Sequence, residues 1–259
     1  MAGGEAEVSR GMGGQAMVDW SAKLGSERDF VARTATADRV ADVLRTRIIE
    51  GLFPPGTRLS EEAIGRVLGV SRNTLREAFR LLCHEHLAVH ELNRGVFVRV
   101  LSADDVVDLY RLRRLIEGAA VRAAGQRTPG ALDAVRAAVS DGERAAAREL
   151  WLEAGTADLR FHQALAGLLG SPRIDELMRG VLAELRLVFH VMPSWQRFHQ
   201  AYLARNREIC ELLEAGNIPA AEHALTVYLD DAERELLNAY QEHEGGAESM
   251  GGAGKALSR

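Results

Sequence analysis

Three polar residues near the start of a predicted short helix have the types and spacing of a base-reading surface. Arg72 and Arg76 are one helical turn apart, and Asn73 lies beside them, away from the apolar face of the same helix. A guanidinium group held in this way can form two hydrogen bonds with the O6 and N7 atoms of guanine. The pattern predicts a helix that enters the major groove of DNA. Taken singly, each arginine would instead be a solvated surface charge.

A second pair of residues whose types could do chemistry is Asp158 and His162. They are four residues apart in a region of helical periodicity. On one face of a helix, a carboxylate and an imidazole at this spacing can share one divalent metal ion. The same spacing also suits a hydrogen-bonded pair, either in the core or on the surface. The residues alone leave both interpretations open.

Capping residues mark the elements that would present the arginines. Ser60 is a good N-cap for a helix of about residues 61–67, and Gly69 suits the turn that follows it. Ser71 then caps the second helix, which carries Arg72. Two helices joined in this way form a helix-turn-helix, and its second helix is the one that enters the groove.

Two short strands are predicted after the second helix, at residues 88–90 and 96–98. Asn93 and Gly95 tolerate positive φ angles in the turn between the strands. Arg94 lies at the tip of this hairpin, where it could contact a phosphate or the minor groove. The hairpin therefore has the features of the wing in a winged helix-turn-helix.

Residues 51–62 and 68–78 resemble the winged-helix signature of the GntR family of bacterial transcription regulators. The resemblance extends over about residues 36–100 and includes a helix that precedes the signature. The double-stranded DNA partner that it implies would be contacted by Arg39, Arg47, Ser71, Arg72, Asn73, Thr74, Arg76, Arg94 and Gly95. Many relatives have Thr-Pro where this chain has Asn73 and Thr74. We therefore expect an operator sequence that differs from the commonest one in the family.

The chain has 259 residues, of which 47% are hydrophobic and 27% charged, enough for two domains with packed cores. Because its formal net charge is −5, affinity for DNA should depend on a few well-placed arginines. The two cysteines lack the spacing of a disulfide framework or a zinc site. The chain shows neither a membrane-spanning apolar run nor a signal peptide, so we expect a cytoplasmic protein with no membrane partner.

Helical periodicity follows the wing, with predicted helices at 102–126, 129–147, 148–169, 172–191, 194–215 and 218–242. A break at Gly155 would make seven helices, and short connections favour antiparallel neighbours. The predicted fold is mostly α, with an N-terminal winged helix-turn-helix at residues 35–100 and an antiparallel six- or seven-helix bundle at residues 102–243. Residues 1–34 and 244–259 are expected to be flexible tails.

The bundle resembles the FCD effector domain that follows the winged helix in FadR-like members of the family. The matching segments are residues 109–117, 158–162, 170–174 and 209–229. The resemblance implies a homodimer that binds a small-molecule effector. It also implies a divalent metal held by Asp158, His162 and two further histidines. This chain has Asn206 and Tyr228 at those two histidine positions.

Asparagine and tyrosine are poor ligands for the transition metals that imidazole binds, so losing two donors should cost several kcal/mol of metal affinity. A metal cofactor is therefore doubtful, and we expect a polar cavity that binds a carboxylate-bearing organic effector directly. The predicted lining consists of Arg113, Asp158, His162, Asn206 and Tyr228. His199 and His223 do not occupy the expected ligand positions and are interpreted as core or surface histidines.

Together these features predict a ligand-responsive DNA-binding transcription regulator without catalytic residues. Most relatives act as repressors, so we expect release from an inverted-repeat operator when the effector binds. Two alternatives stay open. One is a metal-dependent helical-bundle enzyme, although repeated Glu-x-x-His units are absent from the sequence. The other is an architectural DNA-binding protein without a ligand.

Overall fold

The computed structural model describes residues 28–49, 51–126, 130–189 and 195–253, which contain nine α-helices and one three-stranded sheet. The bounds are α1 Arg28–Ile49, β1 Arg58–Leu59, α2 Glu61–Leu68, α3 Arg72–His84, β2 Ala88–Glu91, β3 Gly95–Val98, α4 Ala103–Ala123, α5 Asp133–Ala147, α6 Trp151–Gly167, α7 Pro172–Phe189, α8 Trp195–Glu214 and α9 Ile218–Ala253, with a 3-10 turn at Ala124–Gln126. No helix in these ranges combines the length and apolar character needed to cross a bilayer.

The N-terminal part is a winged helix-turn-helix in which α3 contacts α1, α2 and β2. The antiparallel sheet has the strand order β1–β3–β2, with Arg58 opposite Phe97 and Ala88 opposite Val98. The buried apolar core includes Leu44, Ile48, Ile64, Leu75, Phe79, Leu82 and Val98. The sequence predicted β2 and β3 but not β1, because two residues are too few to show an alternating pattern.

Side-chain caps and a glycine turn define the helix-turn-helix. Ser60 Oγ accepts a hydrogen bond from Ala63 N at 3.2 Å, and Ser71 Oγ accepts one from Thr74 N at 3.2 Å. Between the two helices, Gly69 adopts a φ of 66°, a left-handed conformation that costs glycine little. Both caps and the turn lie where the sequence predicted them, because each depends on residues within about one helical turn.

Six helices, α4 to α9, form the C-terminal bundle. Helix α4 contacts α6, α7 and α9, while α5 contacts α6 and α8. A capping box starts α4: Ser102 Oγ accepts from Asp105 N at 3.2 Å, and Asp105 Oδ2 accepts from Ser102 N at 2.8 Å. Helix α6 continues through Gly155, a buried position where neighbouring side chains pack closely, so the described bundle has six helices rather than seven.

Two helices extend into the segments that we expected to be tails. Helix α1 begins at Arg28, and α9 extends to Ala253. Residues 28–34 contain neither glycine nor proline, and each glycine inside α9 weakens a helix by about 1 kcal/mol without forbidding it. The other tail residues, 1–27 and 254–259, lie outside the described residues.

The winged helix and the bundle contact each other at two places. Helix α1 packs against α7. Arg99, which follows β3, bonds with Asp105 of α4 at 2.6 Å and with Glu184 of α7 at 2.9 Å. The DNA-binding part is therefore attached to the bundle through helix packing and through a half-buried ion-pair network.

Candidate DNA-binding surface and effector site

One side of α3 carries a row of exposed arginines. Arg72, Arg76 and Arg80 are spaced four residues apart, whereas Leu75 and Phe79 on the other side are buried in the core. Residues four apart share a face of a helix, so the three guanidinium groups extend from the same side of α3. Arg80 was not among the residues predicted to contact DNA, although its spacing from Arg76 indicates the shared face.

A groove of about 760 Å³ separates α2 and α3 from the wing. Arg58 of β1 lines the groove together with the three arginines of α3. Gly95 of the wing has a φ of 110°, and a Cβ atom at this position would lie 3.4 Å from Arg58 Nε. Arg58 was not predicted to belong to this surface, because only the pairing of β1 with β3 brings it to the wing. The groove thus gathers four arginines at the face predicted for DNA.

Two of the predicted DNA-contacting arginines form ion pairs. Arg76 Nε donates to Glu61 Oε1 at 3.0 Å, and this hydrogen bond raises the pKa of the guanidinium. Arg94 pairs with Glu91, and its guanidinium carbon lies 5.3 Å from the centre of the Phe97 ring. Exposed ion pairs contribute little to stability, so a DNA phosphate or base can replace these carboxylates at small cost.

The other predicted DNA-contacting residues differ in exposure. Arg39 and Arg47 are exposed on α1, and Asn73 is exposed at the start of α3. Ser71 and Thr74 share a hydrogen bond of 2.8 Å between their hydroxyl groups, and Thr74 is buried. Their hydroxyl groups hold the start of α3 in place, which positions the neighbouring exposed side chains.

All five residues predicted for the effector site lie together inside the bundle. Four helices contribute them: Arg113 (α4), Asp158 and His162 (α6), Asn206 (α8) and Tyr228 (α9). Each is at most 3% exposed. We call these five residues, with the neighbouring Glu117 and His199, the polar cluster.

Asp158 is the centre of the polar cluster. Asn206 Nδ2 donates to its Oδ1 at 2.6 Å, and the hydroxyl of Tyr228 donates to the same oxygen at 3.0 Å. Burial alone would raise the pKa of Asp158, but the imidazoles of His199 and His162 hold this pKa well below its usual range. Asp158 is therefore a buried, ionised carboxylate around which the other side chains are arranged.

A second buried carboxylate, Glu117, connects two other members of the cluster. Arg113 Nε donates to Glu117 Oε1 at 2.8 Å, and His162 Nδ1 lies 2.7 Å from Glu117 Oε2. Burial opposes ionisation of Glu117, yet Arg113 and His162 lower its pKa. Glu117 entered the sequence-based predictions only as part of a family motif. It lies four residues after Arg113, and this spacing could have indicated the pair.

The two histidines interpreted as structural have different locations. His223 is exposed on α9, whereas His199 of α8 is fully buried, with Nδ1 3.5 Å from Asp158 Oδ2. Gly155 permits this approach, because a Cβ atom there would lie only 2.5 Å from His199 Nε2. His199 lies two turns before Asn206 on the same helix, which is the signal that could have placed it in the cluster.

Asp158 and His162, the two residues expected to hold a metal ion, already bond with other side chains, so this set of donors does not fit a metal ion. Asp158 Oδ1 already accepts two hydrogen bonds, and both ring nitrogens of His162 lie within 3 Å of other side chains. Within the described ranges, no three His, Cys, Asp or Glu side chains are grouped to hold a metal. Asn206 and Tyr228 add an amide and a phenol, which are poor replacements for imidazole.

Two polar atoms of the cluster have no hydrogen-bond partner within the described structure. Among the described side chains, Arg113 Nη2 and Asn206 Oδ1 are buried and have no hydrogen-bond partner. One is a donor that carries part of a positive charge, and the other is an acceptor. An unsatisfied buried polar atom costs about 1–3 kcal/mol, so a ligand that pairs with both atoms would gain that energy.

Comparison with known proteins identifies the families to which the two parts of the chain are similar. The family described as "Bacterial regulatory proteins, gntR family" matches residues 36–98, and the FCD domain matches residues 108–231. A crystal structure of a GntR transcriptional regulator from Rhodococcus sp. RHA1 is 51% identical to this chain. The match covers 80% of this chain and 99% of the other, with a TM-score of 0.75.

Curated relatives have the same kind of function. The Nta operon transcriptional regulator of Aminobacter aminovorans is 35% identical over 56% of this chain and 68% of its own length. The "Probable D-xylose utilization operon transcriptional repressor" of Paenarthrobacter nicotinovorans is 28% identical over 76% of this chain and 86% of its own. The relatives are transcription regulators rather than enzymes. The chain therefore belongs to the gntR family of bacterial regulatory proteins, as a DNA-binding transcription regulator with a C-terminal FCD effector domain.

Proposed function

We propose that this regulator is a homodimeric repressor, and that a small carboxylate-bearing metabolite releases it from an inverted-repeat operator. The metabolite binds directly at the polar cluster, without a metal ion. The observation that carries this proposal is the pair of buried atoms without hydrogen-bond partners, Arg113 Nη2 and Asn206 Oδ1. A carboxylate would pair with the guanidinium, and a hydroxyl or amino group on the same molecule would pair with the amide oxygen.

The DNA-binding part of the proposal depends on the exposed arginines of α3. Arg72 and Arg76 lie near the N-terminus of α3, the end whose residues contact base edges in helix-turn-helix proteins. Arg58 of β1 and Arg94 of the wing are placed for the flanking phosphates or the minor groove. Two copies related by a two-fold axis would then read two half-sites of opposite orientation. The relative named as a repressor supports the direction of regulation.

An effector can release DNA only if it binds one of two conformations more tightly than the other. The winged helix contacts the bundle at α7, and α7 also contacts α4 and α6, which contribute to the polar cluster. A rearrangement around the cluster can therefore change how the two winged helices of a dimer are spaced. A coupling of about 1–3 kcal/mol would change operator affinity by about 5- to 150-fold.

The test begins with selection of a duplex from random DNA by the full-length protein at moderate salt. Affinity for the selected duplex is then measured by fluorescence anisotropy across a panel of small mono- and dicarboxylic acids. We expect at least one acid to weaken operator binding about tenfold. Arg113→Met should abolish this response, while the matched variant Arg111→Met, an exposed position on the same helix, should preserve it.

Operator affinity that stays constant across the whole panel would contradict release by a small acid and favour a ligand-free architectural role. Metal analysis of the purified protein tests direct binding separately. Because Asp158 and His162 already bond with other side chains, we expect no stoichiometric metal. One equivalent of tightly held zinc, nickel or manganese would overturn the metal-free arrangement.

A further inference from the structure

Arg186 of α7 lies between the winged helix and the bundle. It is only 3% exposed. Its Nε donates to the carbonyl oxygen of Ile49 at 3.2 Å, and its Nη2 donates to the carbonyl oxygen of Leu152 at 3.2 Å. Ile49 belongs to α1 and Leu152 to α6, so this one side chain of α7 bonds with two other helices, one from each part of the protein.

The bond to Ile49 is a cap for α1. The last carbonyl groups of a helix have no donor within the helix. The carbonyls of Arg47 and Ile48 accept hydrogen bonds from Leu52 N and Gly51 N, whereas that of Ile49 accepts one from Arg186. A cation at this end also interacts favourably with the helix dipole. The C-terminal end of α1 is thus held by a side chain of the bundle.

The other side of the guanidinium group faces the polar cluster. A Cβ atom at Gly155 would lie 2.8 Å from Arg186 Nη1 and 2.5 Å from His199 Nε2, so both groups pack against the same backbone position. His199 in turn lies 3.5 Å from Asp158. Burial lowers the pKa of Arg186, and the charge of Asp158 acts in the opposite direction. The guanidinium is therefore close enough to respond to charge in the cluster.

We propose that Arg186 couples the polar cluster to DNA binding. Its guanidinium group interacts both with the carbonyl oxygen of Ile49 and with the negative charge of the cluster, so a change in one interaction alters the other. This inference rests on the proposed function, because it explains how occupancy of the cluster reaches the operator. An anion bound beside Asp158 draws the guanidinium inward and weakens the cap of α1. Helix α1 packs on α3, so the recognition helix is then held less firmly.

Two variants disturb this link by different routes. Arg186→Lys keeps the charge but loses the planar fork that reaches two carbonyl groups at once. Gly155→Ala keeps every charge and displaces the guanidinium together with the His199 ring, because its Cβ would lie 2.8 Å from Arg186 Nη1 and 2.5 Å from His199 Nε2. The matched controls are Arg160→Lys, exposed in the same cleft, and Gly180→Ala on α7, where a Cβ meets no atom within 4 Å.

The experiment uses the full-length protein and the selected operator duplex, and Asp158→Asn serves as the change of charge in the cluster. Thermal unfolding first identifies which variants are folded. Because Arg186→Lys and Gly155→Ala disturb the link by different routes, either one can decide the result if the other does not fold. In the wild-type and control backgrounds, we expect Asp158→Asn to change operator affinity by at least about fivefold. In the Arg186→Lys and Gly155→Ala backgrounds, the change should be less than about twofold.

Hydrogen exchange gives a second readout that does not require DNA. Arg186→Lys and Gly155→Ala should each accelerate amide exchange in the last turn of α1 by at least about threefold, and the controls should not. Equal effects of Asp158→Asn in all backgrounds would overturn the role of Arg186 and leave the proposed function standing. No effect of Asp158→Asn in any background, including wild type, would also overturn this coupling, whereas the proposed function is decided separately by the panel of acids.

Discussion

Among single residues of the proposed DNA-binding surface, Arg76 is the one whose guanidinium is bonded to Glu61. The carboxylate of Glu61 bonds with Arg76 in the DNA-free protein, whereas within the described part of the chain no carboxylate is ion-paired with Arg72. Both arginines extend from the exposed face of α3. Arg72 is therefore available to a base edge at once, and Arg76 must first exchange one acceptor for another.

Arg72→Ala should weaken binding to the selected operator by about 1–3 kcal/mol and relax base preference at one position of each half-site. Arg94→Ala at the tip of the wing should weaken binding to all sequences similarly and reduce the salt dependence. Fluorescence anisotropy against a set of single-base variants distinguishes the two patterns. Arg179→Ala, on the exposed side of α7, serves as the control. A uniform loss for Arg72→Ala would show that Arg72 contacts phosphate instead of a base.

In the polar cluster, Tyr228→Phe should destabilise the protein by about 1–3 kcal/mol, because the hydroxyl bonds with both Asp158 and His162 in a fully buried position. Tyr202→Phe is the matched control, since that hydroxyl bonds only with the exposed Glu235 among the contacts described, and its loss should cost less. Urea unfolding monitored by circular dichroism compares the two. Equal losses would contradict a central role for the Tyr228 hydroxyl.

At the scale of elements, the junction between the winged helix and the bundle contains a carboxylate with an unusual pKa. Burial raises the pKa of Glu184 to about 7; the charges of Asp105 and Asp108 add to this effect, and Arg99 opposes it. The ion pair between Arg99 and Glu184 joins the end of β3 to α7. The charge of this junction therefore changes close to neutral pH.

Glu184→Gln should stabilise the protein at pH 8 and leave its stability nearly unchanged at pH 4. The folded-state pKa lies above the ordinary value of 4.5, so ionisation of Glu184 costs stability progressively as pH rises from about 4.5 to 7, and the full cost remains above that range. We expect a gain of about 1–2 kcal/mol at pH 8. Thermal unfolding at both pH values measures it, with Glu176→Gln on the exposed side of α7 as the control. A gain of equal size at pH 4 would contradict the raised pKa.

At the scale of the whole molecule, the proposed mechanism requires two copies of the chain. One α3 helix presents one set of arginines, which can contact only one half-site. An inverted repeat is matched by a two-fold symmetric pair of subunits, and the spacing of the half-sites follows from the distance between their α3 helices. In the proposed mechanism, regulation acts both on that distance and on how firmly each α3 helix is held.

Sedimentation of the DNA-free protein should give twice the 28.3 kDa mass of one chain. Footprinting on the selected duplex should show two protected half-sites whose centres are about one helical turn, or a multiple of one turn, apart. A duplex with a single half-site is the control and should bind at least about tenfold more weakly. A monomer that binds single and double half-sites equally would contradict this assembly.

Local hydrogen bonds and short-range periodicity made much of the fold predictable. The caps at Ser60, Ser71 and Ser102 and the turn at Gly69 each involve atoms a few residues apart, so residue types alone indicated them. The two strands of the wing were predicted for the same reason. Strand β1 was missed because its two residues acquire their structure from β3, far along the chain.

By itself, the sequence determined the order and type of these elements and the positions of Arg72 and Arg76 on α3. Its resemblance to the FCD domain indicated the five residues of four different helices that lie together in the bundle. Only the tertiary structure decided their partners: Glu61 for Arg76, and the carbonyl of Ile49 for Arg186 across 137 positions of the chain. A helix or cap depends on neighbours within about one turn, so the types of nearby residues indicate it. A buried polar contact depends on how whole helices pack, and the distance between its atoms exists only after folding.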